Sequence, residues 1–236
     1  MGNFFKESFV YKESQCTIIS EKETGIQTAK ESIKRNRAEL EKFIKTNPKF
    51  VWTLKPFEPP KEPLVANLMA KAGQIADVGP MAAVAGVLAD MAVNDMIASG
   101  CNVAVVEDGG EVSAISNVPI DVAFAAGEEP FSRKFGFRLT EFPFGVATSS
   151  GRFSHALSFG DADAATVFCS EAGLADAAAT AVCNSVKGED VSEAIEKGLR
   201  VAKSIAGVDG VLIYFRNQVG TWGKIPKIIK MNQVGT

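Results

Sequence analysis

Asp176 and Thr180, in the stretch LADAAATAVCNSV, are the pair whose types and spacing best suit chemistry. On a helix they lie one turn apart on one face, and Asn184 continues the row among alanines. A carboxylate and a hydroxyl on an otherwise apolar face suit a hard cation such as Mg2+, which takes oxygen ligands and keeps waters for a phosphate. The same carboxylate could instead cap the first turn of its own helix, where its charge meets the helix dipole.

A second candidate is the turn VEDGGEV. Gly109 and Gly110 allow positive φ and close approach of a ligand to the backbone, although Asp-Gly and Gly-Gly are also common two-residue hairpin turns. Ser149, Ser150 and Gly151 can offer hydroxyl and backbone N–H donors to a phosphate, yet no dinucleotide fingerprint or P-loop motif occurs anywhere in the chain. Asp161 and Asp163 share a face if they lie on a strand, as a ligand pair or a polar edge. His155 is the single histidine and has no neighbouring pattern that defines a Ser-His-Asp triad. A lone histidine can be a proton acceptor or a hydrogen-bonded structural residue.

The elements that must position these groups follow from periodicity. Residues 9 to 20 contain two short β-branched or aromatic runs around Lys12-Glu13-Ser14, and residues 27 to 46 switch to an amphipathic helix that Asn47-Pro48 closes. Four prolines in residues 55 to 63 exclude regular structure there. Gly79 to Ser99 reads as a long Ala-rich helix with Pro80 in its first turn and Gly100 as its stop. A hairpin follows over CNVAVVEDGGEVSAI, then strands at 120–126, 143–149, 155–159 and 164–169, helices at 172–186 and 190–205, the strand VLIYF, and a closing hairpin around Gly220. Helices followed by strand pairs in each half hint at a duplication and predict an α+β layer arrangement. The expected organisation is a single domain over 1–236, with an N-terminal lobe 1–55, a proline-rich connector 55–63 and a core 64–236.

Composition narrows the classes. With 236 residues, 46% hydrophobic and 22% charged, the chain can bury one sizeable core. A formal charge of -3 gives no basic field for a phosphate backbone, so no nucleic-acid partner is expected. The four cysteines, Cys16, Cys101, Cys169 and Cys183, lack zinc-ligand spacing, and three sit among apolar residues, as reduced thiols in a cytoplasmic protein would. The N-terminus has no signal-peptide pattern, and the apolar run VGPMAAVAGVL is too short to cross a bilayer, so no membrane partner is expected.

Taken together, ADVGPMAAVAGVLADMAV, VEDGGEV, TSSGRFSHALSFGDADA and LADAAATAVCNSV resemble, in that order, an uncharacterised archaeal and bacterial protein family within the ApbE-like superfamily, whose founders are FAD:protein FMN transferases. The resemblance to that family covers nearly the whole chain, including FVYKES and AELEKFIKTNPKF. It implies an α+β fold, ApbE-like and tunnelling-fold-related, of antiparallel sheet with helices packed on one side. In the transferases an A-D-A-x-x-T helix supplies Asp and Thr to a Mg2+ beside the FAD pyrophosphate. Ala175-Asp176-Ala177 with Thr180 matches it, which implies Asp176 and Thr180 as metal ligands. Gly109-Gly110 followed by Glu111 matches the glycine hairpin, and Ser154-His155 matches an S-H pair. Ala156 to Asp161 departs from the D-P-x-T-G loop of the transferases, and Met81-Ala82-Ala83 lacks their lysine.

The expected function is therefore Mg2+-dependent binding of a small phosphorylated ligand, a flavin such as FAD or FMN or another nucleotide, with transfer as a further step. Gly109, Gly110, Glu111, Ser149, Ser150, Gly151 and Asp161 would line its site, and His155 would take the proton of an attacking hydroxyl. One alternative is a thiol or persulfide relay on Cys16, which lies in the polar segment ESQCT. Another is a non-catalytic homo-oligomeric ligand-binding or assembly module, for which the FPFG segment at 142–145 would supply an apolar surface.

Overall fold

A computed structural model describes residues 4–123, 135–151 and 160–230. The expected strand at 155–159 lies outside the described residues. In chain order the elements are β1 (Phe5–Tyr11), β2 (Ser14–Ser20), α1 (Glu23–Thr46), α2 (Lys49–Trp52), α3 (Leu64–Ala76), a 3-10 turn (Pro80–Ala83), α4 (Val84–Ala98), β3 (Val103–Asp108), β4 (Glu111–Ser116), β5 (Ile120–Ala123), β6 (Phe135–Leu139), β7 (Phe144–Ser149), β8 (Ala164–Cys169), α5 (Ala172–Ser185), α6 (Val191–Ser204), β9 (Val208–Phe215), β10 (Gln218–Gly223) and β11 (Lys227–Lys230).

Eight strands form one antiparallel sheet in the order β1-β2-β3-β4-β7-β8-β9-β10. Each half of it runs strand, strand, helical block, strand, strand, which gives the hinted duplication a topological form. Residues 1–55, expected as a lobe, contribute β1, β2, α1 and α2, and β2 pairs with β3 across the proline-rich connector. The seam between halves is the β4–β7 pairing, with only Val112↔Val146, Ser113↔Gly145 and Ala114↔Phe144 in register.

Period-two alternation decides which side each residue faces. Ile18, Ala104, Val106, Val167, Val211 and Ile213 point to the helices and are fully buried or nearly so. Their neighbours Val103, Val105, Val112 and Phe168 point the other way, into a smaller core closed by a three-stranded sheet of order β11-β6-β5. Phe168 meets Phe137 of that sheet edge to face at 5.0 Å, and Arg138 grips its cross-strand partner Asp121 with two bonds of 2.8 and 2.7 Å. Phe142 and Phe144 pack against this second core, so the FPFG aromatics fill space beneath the small sheet.

The helices cover the opposite side, as the α+β ApbE-like arrangement requires. The segment Pro80–Ala98 is long and apolar enough to cross a bilayer by length and composition. It instead lies against α1, α5, β3 and β4, and that burial accounts for its apolarity. Its helix begins close to where α5 begins: a Cβ at Gly86 would stand 2.2 Å from the Ala172 carbonyl oxygen. Only glycine permits the two backbones to approach so closely.

Candidate functional site

Two carboxylates exchange places across the α4–α5 contact. Asp90 of α4 accepts the N–H groups of Ala172 (3.0 Å) and Gly173 (2.8 Å), the first two residues of α5. Asp176 of α5 accepts the N–H of Gly86 at 3.1 Å, with Ala85 also donating, in the first turn of α4. Helix N-termini leave N–H groups without intrahelical partners, and here each helix satisfies the other's. Asp176 therefore caps a helix, but not its own; that corrects the local-cap reading, which spacing within one helix could not distinguish.

The strand beneath completes the site. Glu111 and Ser113 of β4 face the helices, while Val112 and Ala114, which alternate with them, face the small sheet. The Ser113 hydroxyl donates to Asp90, so that carboxylate has three donors. Glu111 brings no donor to Asp176; it brings a second charge. Burial, then the charge of Asp176, holds the Glu111 carboxyl well above its usual range. Burial pushes Asp176 up to about 7; the N–H groups of Gly86 and Ala85 pull against the rise, and the charges of Asp108 and Asp90 add to it.

Thr180 and Asn184 extend this site along α5. In a helix with Ala172, Ala175, Ala177, Ala178 and Ala179 buried, Asp176, Thr180 and Asn184 form a half-buried stripe, as their four-residue spacing predicts. The helix runs alongside β7. A Cβ at Gly145 would meet the Ala172 nitrogen at 2.3 Å, and one at Gly160 would meet the Cys183 oxygen at 1.7 Å. The stripe thus leads from the Gly109-Gly110 turn toward the Ser149–Gly151 end of β7.

The turn has φ of 69° at Gly109 and 116° at Gly110, and a Cβ at Gly110 would meet nothing within 4 Å. That space belongs to a cavity of about 520 Å3 on the other side of the sheet, lined by Val105, Val112, Glu107 and Asp121 among others. The Gly109 N–H is spent on the Gln15 carbonyl (3.2 Å), and the Gly151 N–H on that of Ala162 (3.0 Å), so neither is free for a phosphate. Ser149 and Ser150 are buried at the end of β7, next to Gly151 in the chain.

The Asp161–Asp163 pair does not converge. Both residues precede β8, the exposed Asp161 carboxylate accepts from Gly188 at 3.3 Å, and the buried Asp163 accepts the Arg216 N–H at 2.7 Å. Each serves a different loop, which corrects the expectation of a shared strand face. His155 and Ser154 lie outside the described residues.

Comparison with known proteins now bears on these positions. The family described as "AbpE bacteria" matches residues 6–212, and the UPF0280 protein MJ1526 of Methanocaldococcus jannaschii is 36% identical over 235 residues, 98% of this chain and 95% of that protein. The chain belongs to this UPF0280, ApbE-like family. Its fold is shared with the apo form of the flavinyl transferase ApbE from Pseudomonas stutzeri, at a TM-score of 0.59 and 16% identity over 93% of this chain and 94% of that one. The ApbE protein of Thermotoga maritima gives a TM-score of 0.58 at 12% identity, covering 97% of each chain.

For this UPF0280 chain the reading of Cys16 as an accessible thiol fails. Cys16 is 3% exposed, on the helix-facing side of β2, and all four cysteines are buried and free. Burial and the neighbouring Asp108 push its thiol far up, away from the reactive thiolate. The polar letters of ESQCT concealed a strand whose alternation turns Cys16 inward. Sequence reasoning also missed Asp90 and Ser113, although Asp90 stands at the four-residue spacing from Gly86 that puts it on the same face of α4.

Proposed function

We propose that this chain binds a phosphorylated, flavin-type nucleotide together with Mg2+ on the Asp176–Thr180 stripe beside Glu111, and that group transfer from that nucleotide is its reaction class. The observation that carries this reading is the Glu111–Asp176 pair. Glu111 and Asp176 lie near enough, and far enough from water, for the Asp176 charge to raise the Glu111 carboxyl, and among the described residues no side-chain cation is a main influence on either, so at neutral pH a bound proton offsets the pair in part. A divalent cation is the other way to neutralise the pair.

The donor set fits a hard cation. Asp176, Glu111 and Thr180 offer only oxygens. A site with few protein ligands suits Mg2+, which keeps waters and takes phosphate oxygens. When bound, Mg2+ polarises a phosphoryl oxygen and offsets charge on the leaving group. Asp176 and Thr180 would hold it, Glu111 would add the second charge, and the reciprocal caps would keep α4 and α5 from shifting as charge changes. The flavin transfer named for the Pseudomonas stutzeri and Vibrio cholerae ApbE proteins supports flavin as the ligand class.

Thermal unfolding with FAD or FMN, with and without Mg2+, tests the reading. Nucleotide and Mg2+ together should stabilise by about 2.7 kcal/mol at a hundredfold excess over Kd, a rise of roughly 5–10 °C for a chain of this size, and nucleotide without Mg2+ should do little. No shift for any nucleotide in the presence of Mg2+ overturns it. The sulfur relay has lost its accessible thiol and is not proposed.

A further inference from the structure

Asp108 opens the Gly109-Gly110 turn, three residues before Glu111, and is 3% exposed. Its carboxylate is held from outside its own hairpin. Oδ2 accepts the Ser14 hydroxyl at 2.8 Å and Oδ1 accepts the Gln15 N–H at 3.1 Å, while Gln15 returns its carbonyl to the Gly109 N–H at 3.2 Å. Ser14 in turn accepts from Arg37 Nη1 of α1 at 2.9 Å. Arg37 Nη2 pairs with Glu13, and its Nε is buried with no hydrogen-bond partner among the described residues.

These bonds tie β2 directly, and α1 through Ser14, to the tip of a two-residue turn. A Gly-Gly hairpin has wide conformational freedom, and four further bonds exceed what closing it requires. The anchored turn sits where Glu111 leaves toward Asp176, and Asp108 is itself among the charges felt by both carboxylates.

We propose that Ser14 and Arg37 are positioning residues for the cation site: the chain Arg37, Ser14, Asp108 locks the Gly109-Gly110 turn so that Glu111 is presented to Asp176. The role rests on the proposed cation-dependent reading of that site. Ser14→Ala is the cleanest probe, because it removes the link without changing any charge. Outer-shell partners of metal ligands commonly cost 10–100-fold in affinity when removed, and Ser14→Ala should weaken binding of Mn2+ alone, followed by EPR, roughly tenfold. It should also speed amide exchange at Gly109 and Gly110 while leaving the amides of α5 unchanged.

Arg37→Met separates positioning from simple electrostatics. Loss of a positive charge near an acidic site would by Coulomb's law tighten Mn2+; loss of positioning weakens it, and Arg37→Lys should restore part of the loss by keeping one cationic donor. Arg37 lies at the outer end of the chain, so this pair serves if Ser14→Ala does not fold. Mn2+ affinity within twofold of wild type in Ser14→Ala, or tightened in Arg37→Met, overturns the positioning role while leaving the site intact. A wild-type protein that binds no Mn2+ overturns the proposed function, and this role with it.

Discussion

Asp90 and Asp176 hold mirror-image posts, each capping the helix that carries the other, and they meet opposite company. Asp90 faces Ser113, a donor that completes three hydrogen bonds. Asp176 faces Glu111, a second carboxylate, with Asp108 close enough to add its charge. Two positions along one strand decide the difference, since Glu111 and Ser113 are successive helix-facing residues of β4. The Asp90 carboxylate finds its donors within the protein, although a cavity of about 500 Å3 lined by Asp90, Ser113 and Gly173 opens beside it. At the Asp176 end the proposed cation would offset the charge of the two carboxylates.

Removing both ends together gives the largest effect. Gly86→Ala would drive a Cβ into the Ala172 backbone, where no flexible side chain can yield, and separating α4 from α5 should cost at least about 3 kcal/mol; chemical denaturation measures it. Asp90→Ala leaves two helix N–H groups and the Ser113 hydroxyl unpaired and should cost about 2–3 kcal/mol. The folded fraction of that variant should still bind FAD with Mg2+. Equal loss of ligand binding on removing Asp90 and Asp176 would erase the division between them.

Asp176→Asn should move stability the other way. The folded carboxyl holds its proton up to about 7 against an ordinary 3.8, so between these values the native state binds more protons than the unfolded chain and wild-type stability falls as pH rises. Asparagine abolishes that decline, and at pH 8 the metal-free variant should be more stable than wild type by about 1–2 kcal/mol. The two should converge toward pH 4, and the variant should lose all Mg2+-dependent stabilisation by nucleotide. Glu111→Gln should have the smallest effect, a gain of about 1 kcal/mol or less at pH 8, together with a lower Asp176 midpoint by 13C NMR. An unmoved midpoint would show that the two carboxylates do not sense each other.

Much of this was readable in advance where signals are local. The Asp176–Thr180–Asn184 row, the Asp-Gly-Gly hairpin, and the helices ending near Ala98, Ser185 and Ser204 depend on spacing and caps within a few residues. The helix Leu64–Ala76 drew no element although Asn67, Lys71 and Gln74 mark a polar stripe at helical spacing; the prolines ahead of it masked its start. The turn expected around Gly220 falls at Arg216-Asn217, both with positive φ, and Gly220 lies inside β10. The small sheet was missed because β6 and β11 are four or five residues long and come from distant parts of the chain. The reciprocal caps were beyond reach for the same reason, because Gly86 and Asp176 are 90 positions apart.

The narrow β4–β7 seam carries a consequence for how the molecule is put together. Every other adjacent pair in the large sheet shares five to seven registered positions, and this one shares three. Cohesion there falls to α4 against α5, whose capping carboxylates come one from each half. Cutting the chain in the exposed stretch 117–119 would leave two fragments, each with four strands of the large sheet and one ragged seam edge, the second also carrying the small sheet. Expressed together, they should reassemble through that helix contact, and a nucleotide lodged beside it would act as mortar between two bricks that neither could replace alone.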